Sequence, residues 1–192
     1  MRIVGLILAC LLLQSHLNAR GKFEQFGDIF KLMPLYVGVA SIAIEDWKGL
    51  WQLALATGVT QLTTEGIKAL DEKIARNGNE SKMLWARRPG FDDFKGMPSG
   101  HSAGAFSGAA FVYYRYGWKA SIAPLVLATL TAASRVYANK HSILQVSAGA
   151  LIAWGYAYLF TTPYQPQICV TPEIGEDSQG GKKVALNLSY QF

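Results

Sequence analysis

Apolar residues in this chain arrive in blocks rather than in amphipathic stripes, and short polar clusters break the blocks. A stripe every three or four residues would describe helices packed on one face and wetted on the other; unbroken runs such as "IFKLMPLYVGVASIAI" describe helices apolar all round. Charged residues make up only 16% of the 192 residues, against roughly 25% in an average soluble domain, so much of the surface must face something other than water. The pattern predicts an all-α fold, a membrane helical bundle of five to six helices. The net charge of +5 suits anionic partners. No Lys/Arg stripe with interleaved aromatics is present, so the reading carries no nucleic-acid partner and turns to phosphorylated lipid.

Residues 1–19 hold Arg2 and an apolar run, and read as a signal peptide or as a first transmembrane helix. Five helix candidates follow at 29–44, 50–70, 101–116, 119–138 and 142–162, within one domain spanning 20–162. Several are shorter than the ~20 apolar residues of a lone span, as expected of helices that cover one another. "HSAGAFSGAA" and "SAGALIAWG" supply the small residues that let membrane helices approach closely. Counting spans from a cytoplasmic N-terminus puts segments 45–49 and 114–119 inside, as the positive-inside tendency prefers, and loop 71–100 and turn 138–142 outside. In the tail, 163–192, alternating apolar residues from Val184 to Phe192 predict a short β-hairpin turning near Gly180-Gly181. Cys10 and Cys169 imply neither a disulfide framework nor a zinc site.

Three polar clusters fall on the same predicted side. The first combines Lys68, at the end of "TTEGIKAL", with Arg87-Arg88-Pro89; the second is Pro98-Ser99-Gly100-His101; the third is "SRVYANKHSILQV", holding Arg135, His141 and Gln145. A phosphate ester needs cationic donors for its oxygens, a nucleophile for phosphorus and an acid for the leaving alcohol. Arg88 and Arg135 offer planar forks, and Lys68 or Lys82 a point charge. Ser99 and the amides of Gly100 and His101 open a helix, where anions bind. The two histidines can divide the roles of nucleophile and acid, and Gln145, one turn after His141, shares its helical face and can orient its ring. Ionisable groups near membrane helix ends are costly unless solvated, paired or used, which sets this joint arrangement apart from accident. The remaining histidine, His16, lies in the N-terminal block, and no HxxxH or CxxC spacing offers a metal site; no cofactor is expected.

These clusters resemble the signature of the type 2 phosphatidic acid phosphatases, an all-helical superfamily that includes vanadium haloperoxidases and bacterial acid phosphatases. That signature is Lys-x6-Arg-Pro, then Pro-Ser-Gly-His, then Ser-Arg-x5-His-x3-Asp, and the resemblance covers roughly residues 25–162. It implies His141 as the nucleophile that becomes a phosphohistidine and His101 as the acid at the leaving oxygen. It also implies Lys68, Arg88, Arg135, Ser99 and the Gly100 amide as ligands of the phosphoryl oxygens. Two positions depart from the pattern. Ser81 stands where the lysine is demanded, so its role passes to Lys68, with residues 69–87 as an insertion and Lys82 as the fallback. Gln145 replaces the aspartate; its carbonyl can still orient His141 but stabilises an imidazolium less than a carboxylate does.

The layout is most similar to the lipid A 1-phosphatases of Gram-negative bacteria. It implies a metal-independent lipid phosphatase of the bacterial inner membrane, multi-pass, its active site facing the periplasm and its substrate entering from the bilayer. No obligate protein partner is inferred. Alternatives are an undecaprenyl pyrophosphate phosphatase, a periplasmic non-specific acid phosphatase and a non-catalytic membrane scaffold.

Overall fold

The computed structural model describes residues 21–165, 168–176 and 182–190. The expected signal peptide or first span at 1–19 lies outside the described residues. Among the described residues six α-helices carry the fold: α1 Lys22–Phe30, α2 Met33–Ala43, α3 Trp47–Ile74, α4 Gly100–Tyr116, α5 Trp118–Tyr137 and α6 Ile143–Phe160.

Helix α4 is the hub, packed against α2, α3, α5 and α6. Its composition makes this possible: Ser102, Ala103, Gly104, Ala105, Ser107, Gly108, Ala109 and Ala110 are all buried, and with almost no side chain to keep them apart, neighbouring backbones close in. A Cβ on Gly104 would sit 2.7 Å from the Lys31 carbonyl oxygen, and one on Gly149 of α6 would sit 2.5 Å from the Ser99 carbonyl oxygen. The apolar core beside α4 gathers Met33, Val37, Leu53, Phe111 and Val112.

The single helix expected at 29–44 is two. Pro34 sits in the first turn of α2, where its missing N–H costs nothing, but its ring cannot continue a helix arriving from α1. The break leaves α1 and α2 bent by 46°. Helix α3 overruns its predicted end at residue 70 as far as Ile74 and passes into a π-turn, Ala75–Asn79, before a 3₁₀ turn, Glu80–Lys82. At 28 residues it is about 42 Å long. Its start is capped by the Asp46 carboxylate, which accepts from the Gly49 amide at 2.9 Å.

By length and composition α5 and α6 can each cross a membrane, and the bent pair α1–α2 can make a third crossing. The expected bundle of five to six helices is present, with two or three crossings among the described residues long and apolar enough for a span. Helix α4 has only 17 residues and is enclosed by its neighbours, while α3 carries Glu65, Lys68, Asp71 and Glu72 in its second half. The outer surface is apolar, with Trp51, Leu55, Trp118, Leu151 and Tyr158 exposed. The chain is a membrane protein. Beyond α6, strands β1 Ile168–Glu176 and β2 Lys182–Tyr190 pair antiparallel, from Ile168 opposite Tyr190 to Glu176 opposite Lys182. The turn expected near Gly180-Gly181 lies outside the described residues.

Candidate active site

One end of the bundle holds a cavity of about 320 Å³ lined by Glu65, Lys68, Arg88, Lys95, Gly100, His101, Arg135, Lys140 and His141. No apolar side chain contributes to its wall. Five cations face one carboxylate there, a composition suited to an anionic, polar group. The three clusters that lie far apart in sequence meet here because three ends coincide: the last turns of α3, the first residue of α4, and the turn joining α5 to α6.

The residues that approach this space do so in pairs. Lys68 donates to Glu65 Oε1 at 2.7 Å, and a Cβ on Gly100 would lie 3.0 Å from Lys68 Nζ, so the ammonium rests on the glycine that opens α4. Lys82 stays outside, exposed on the 3₁₀ turn, and the structure brings Lys68, not Lys82, to the cavity. Arg88 grips Asp93 with both prongs of its fork, Nε to Oδ1 at 2.7 Å and Nη2 to Oδ2, and stacks over Phe91 at 4.4 Å. The paired guanidinium holds the Asp93 carboxyl below its ordinary range. Gly90 makes the turn between them with φ +73°, a conformation costly for residues that carry a Cβ.

Arg135 is 1% exposed yet borders the cavity. Its Nη1 donates to Asp28 Oδ1 at 3.3 Å, its Nη2 to the Glu24 carbonyl, and its Nε to Ser134 Oγ at 3.1 Å. Asp28 also accepts from His101 Nε2 at 2.7 Å. A carboxylate can only accept, so the His101 proton sits on Nε2 and Nδ1 is the atom left to exchange one. Lys140 pairs with Glu24, a second tie from α1 to the α5–α6 turn.

His141 is buried, with Nδ1 3.0 Å from the Gly96 carbonyl oxygen and 3.2 Å from Gln145 Oε1. Both neighbours are acceptors, so Nδ1 carries the proton and Nε2 keeps its lone pair. Burial pushes the imidazole down to about 4; the contacts to Gln145 and Gly96 oppose this, and the charges of Lys68 and Arg88 add to it. At neutral pH the His141 imidazole is therefore uncharged, with Nε2 free to act as a nucleophile or base. Ser99 and Gln145, both expected at the site, stand behind its wall. Ser99 is the N-cap of α4 and fully buried, and its Oγ has no hydrogen-bond partner, an unmet polar group one residue from the cavity. Gln145 is 1% exposed, reaches the cavity only through His141, and completes a capping box with Ser142 at the start of α6.

Sequence reasoning missed Asp28, Glu24, Glu65, Asp93, Gly96, Lys95 and Lys140. Asp28 and Glu24 had a signal, carboxylates inside the stretch "FEQFGDIF", where an ionisable residue among aromatics marks a candidate partner.

A family model described as the PAP2 superfamily matches residues 49–168. Over 198 aligned residues the chain is 43% identical to a lipid A 4'-phosphatase of Helicobacter pylori (strain J99), an alignment covering 100% of this chain and 99% of that one. It is 32% identical over 137 residues to a lipid A 1-phosphatase of Helicobacter pylori (strain 26695), covering 71% of this chain and 70% of the relative. No solved structure matches the chain significantly.

Proposed function

The chain belongs to the PAP2 superfamily and is a phosphatase, and from that premise we propose that it removes a phosphate from lipid A at the periplasmic face of the inner membrane, through a phosphohistidine on His141. The observation that carries this reading is the convergence of His141, His101, Lys68, Arg88, Gly100 and Arg135 on one cavity walled by charged and polar residue types at the end of an otherwise apolar bundle. His141 Nε2 attacks phosphorus and the P–O bond to the sugar breaks. Burial pushes the His101 imidazole down to about 4 against the opposing Asp28 hydrogen bond, so it is the minor form protonated on both nitrogens that gives the Nδ1 proton to the departing oxygen. Water then attacks the phosphohistidine, returning a proton to His101 and releasing inorganic phosphate. Lys68, Arg88 and Arg135, with the Gly100 amide at the N-terminus of α4, neutralise the phosphoryl oxygens in both steps. Ser99 Oγ, buried without a partner, is the donor that a bound phosphate would engage after a rotation about χ1.

The layout led to an expectation of the 1-phosphate. The 4'-phosphate now takes precedence, because similarity to the 4'-phosphatase is both higher and end to end. Mass spectrometry of lipid A from cells with the wild-type gene, the His141→Ala variant or no gene tests this. Loss of the 4'-phosphate only with the wild type is the expected result. Loss of the 1-phosphate reverses the positional assignment, and a change confined to polyprenyl pyrophosphates overturns the lipid A reading.

A further inference from the structure

Where the family signature has aspartate this chain has Gln145, and the surroundings of that side chain explain why an acid does not serve here. Its Oε1 accepts from the Ser142 amide at 3.1 Å and from His141 Nδ1 at 3.2 Å. Its Nε2 donates to the Trp85 carbonyl oxygen at 3.0 Å and to the Arg87 carbonyl oxygen at 2.8 Å. Two carbonyls on one side can only accept, so they fix which end of the amide is nitrogen, and both of its N–H groups are used. The backbone is built closely around it: a Cβ on Gly96 would lie 2.5 Å from Gln145 Nε2 and 2.7 Å from the Ala86 carbonyl oxygen. Gly96 itself donates to Ala86 O at 2.7 Å and accepts from His141 at 3.0 Å. The Gln145 main-chain carbonyl accepts from the Ser99 amide at 2.9 Å.

We propose that Gln145 is a positioning residue that acts as a two-sided strut: its carbonyl aims His141, while its NH₂ clamps the 85–87 backbone and so sets the reach of Arg88, the next residue, into the cavity. Nucleophile and phosphate-binding guanidinium are thereby held by one buried amide. An aspartate has no N–H and is a methylene shorter; a glutamate matches the reach but turns a carboxylate oxygen toward two carbonyls. The Gly96 carbonyl, already 3.0 Å from His141 Nδ1, keeps the ring's tautomer when the amide is used in this way.

This inference rests on the phosphatase reading above, and the test separates the two. Binding of inorganic phosphate to detergent-solubilised wild type, Gln145→Glu and Gln145→Asn is measured by calorimetry, alongside kcat and KM on lipid A and thermal unfolding. Both variants are expected to weaken phosphate binding and lower kcat, each by about 10–100-fold, the range for partners that orient a ligand. In an Arg88→Ala background the phosphate effect of Gln145→Glu is expected to disappear, since the strut then has no guanidinium to place. If Gln145→Glu equals or exceeds the wild type, Gln145 is only a substitute for the acid and the strut is wrong. The strut is equally wrong if phosphate binding is unchanged, if the Arg88→Ala background leaves the loss intact, or if neither variant folds. If the wild type fails on lipid A while the phosphate-binding pattern holds, the substrate reading falls and the strut stands.

Discussion

Two features of His141 act in the same direction: it is buried, and Lys68 and Arg88 stand near it, and both disfavour the charged imidazolium. Burial pushes its imidazole down to about 4, so the proposed nucleophile is neutral above that pH and is lost only as pH falls through it. The acid limb of kcat/KM, which reports the free enzyme, is therefore expected near pH 4 and not near the ordinary imidazole value of about 6.5. A pH profile of the wild type checks this; an acid limb above 6 would contradict it. Arg88, Gly100, His101, Arg135 and His141 were legible in the sequence, because each lies in a short motif whose chemistry shows at close range, whereas Lys68 was named with Lys82 as its fallback. Asp28 was not assigned, because its partner His101 is 73 residues away and only packing joins them.

At the scale of elements, α1 is the part of the site that the matched family region, residues 49–168, does not include. Its Phe23, Phe26 and Phe30 form a contiguous aromatic row, and between them Gly27 lets the helix lie directly on α5. A Cβ there would lie 2.8 Å from Arg135 Nη2 and overlap Ser134 Oγ. Gly27→Ala is expected to push α1 outward and separate Asp28 from His101. Overpacking of this kind costs about 1–3 kcal/mol, and kcat should fall at least as steeply as stability. Thermal unfolding in detergent together with kcat measures both; an unchanged kcat would remove α1 from the site. The break before α2 has a signal in Pro34, although the apolar run across 29–44 reads as one helix. The start of α1 was not visible, because an isolated helix of nine residues is marginal and packing decides it.

For the molecule as a whole, the two ends of α4 do different work. Its first residues line the cavity, while Arg115, 14 residues beyond His101, is buried against Asp46. That guanidinium also donates to the Thr162 carbonyl at 2.8 Å and the Pro163 carbonyl at 3.1 Å, and Asp46 accepts from Tyr116 at 2.8 Å. This knot ties the start of α3 and the end of α6 to α4. Asp46→Ala strands a buried charge and removes the cap of α3, so a loss of about 3–5 kcal/mol is expected, with KM unchanged in the protein that still folds. Denaturant unfolding in detergent and steady-state kinetics check the two parts. A shift in KM would show that the far end of α4 reaches the site.

The sequence by itself determined the solvent of this protein and the inventory of its chemistry. Apolar blocks cannot be left in water, and the motif residues are local, so both are readable without a fold. Only the tertiary structure decided which lysine reaches the cavity, that Asp28 stands behind His101, and that Gln145 donates to a loop 58 and 60 residues earlier. The physical reason is that these depend on which backbone ends meet in space, and that follows from small residues letting α4 close on its neighbours.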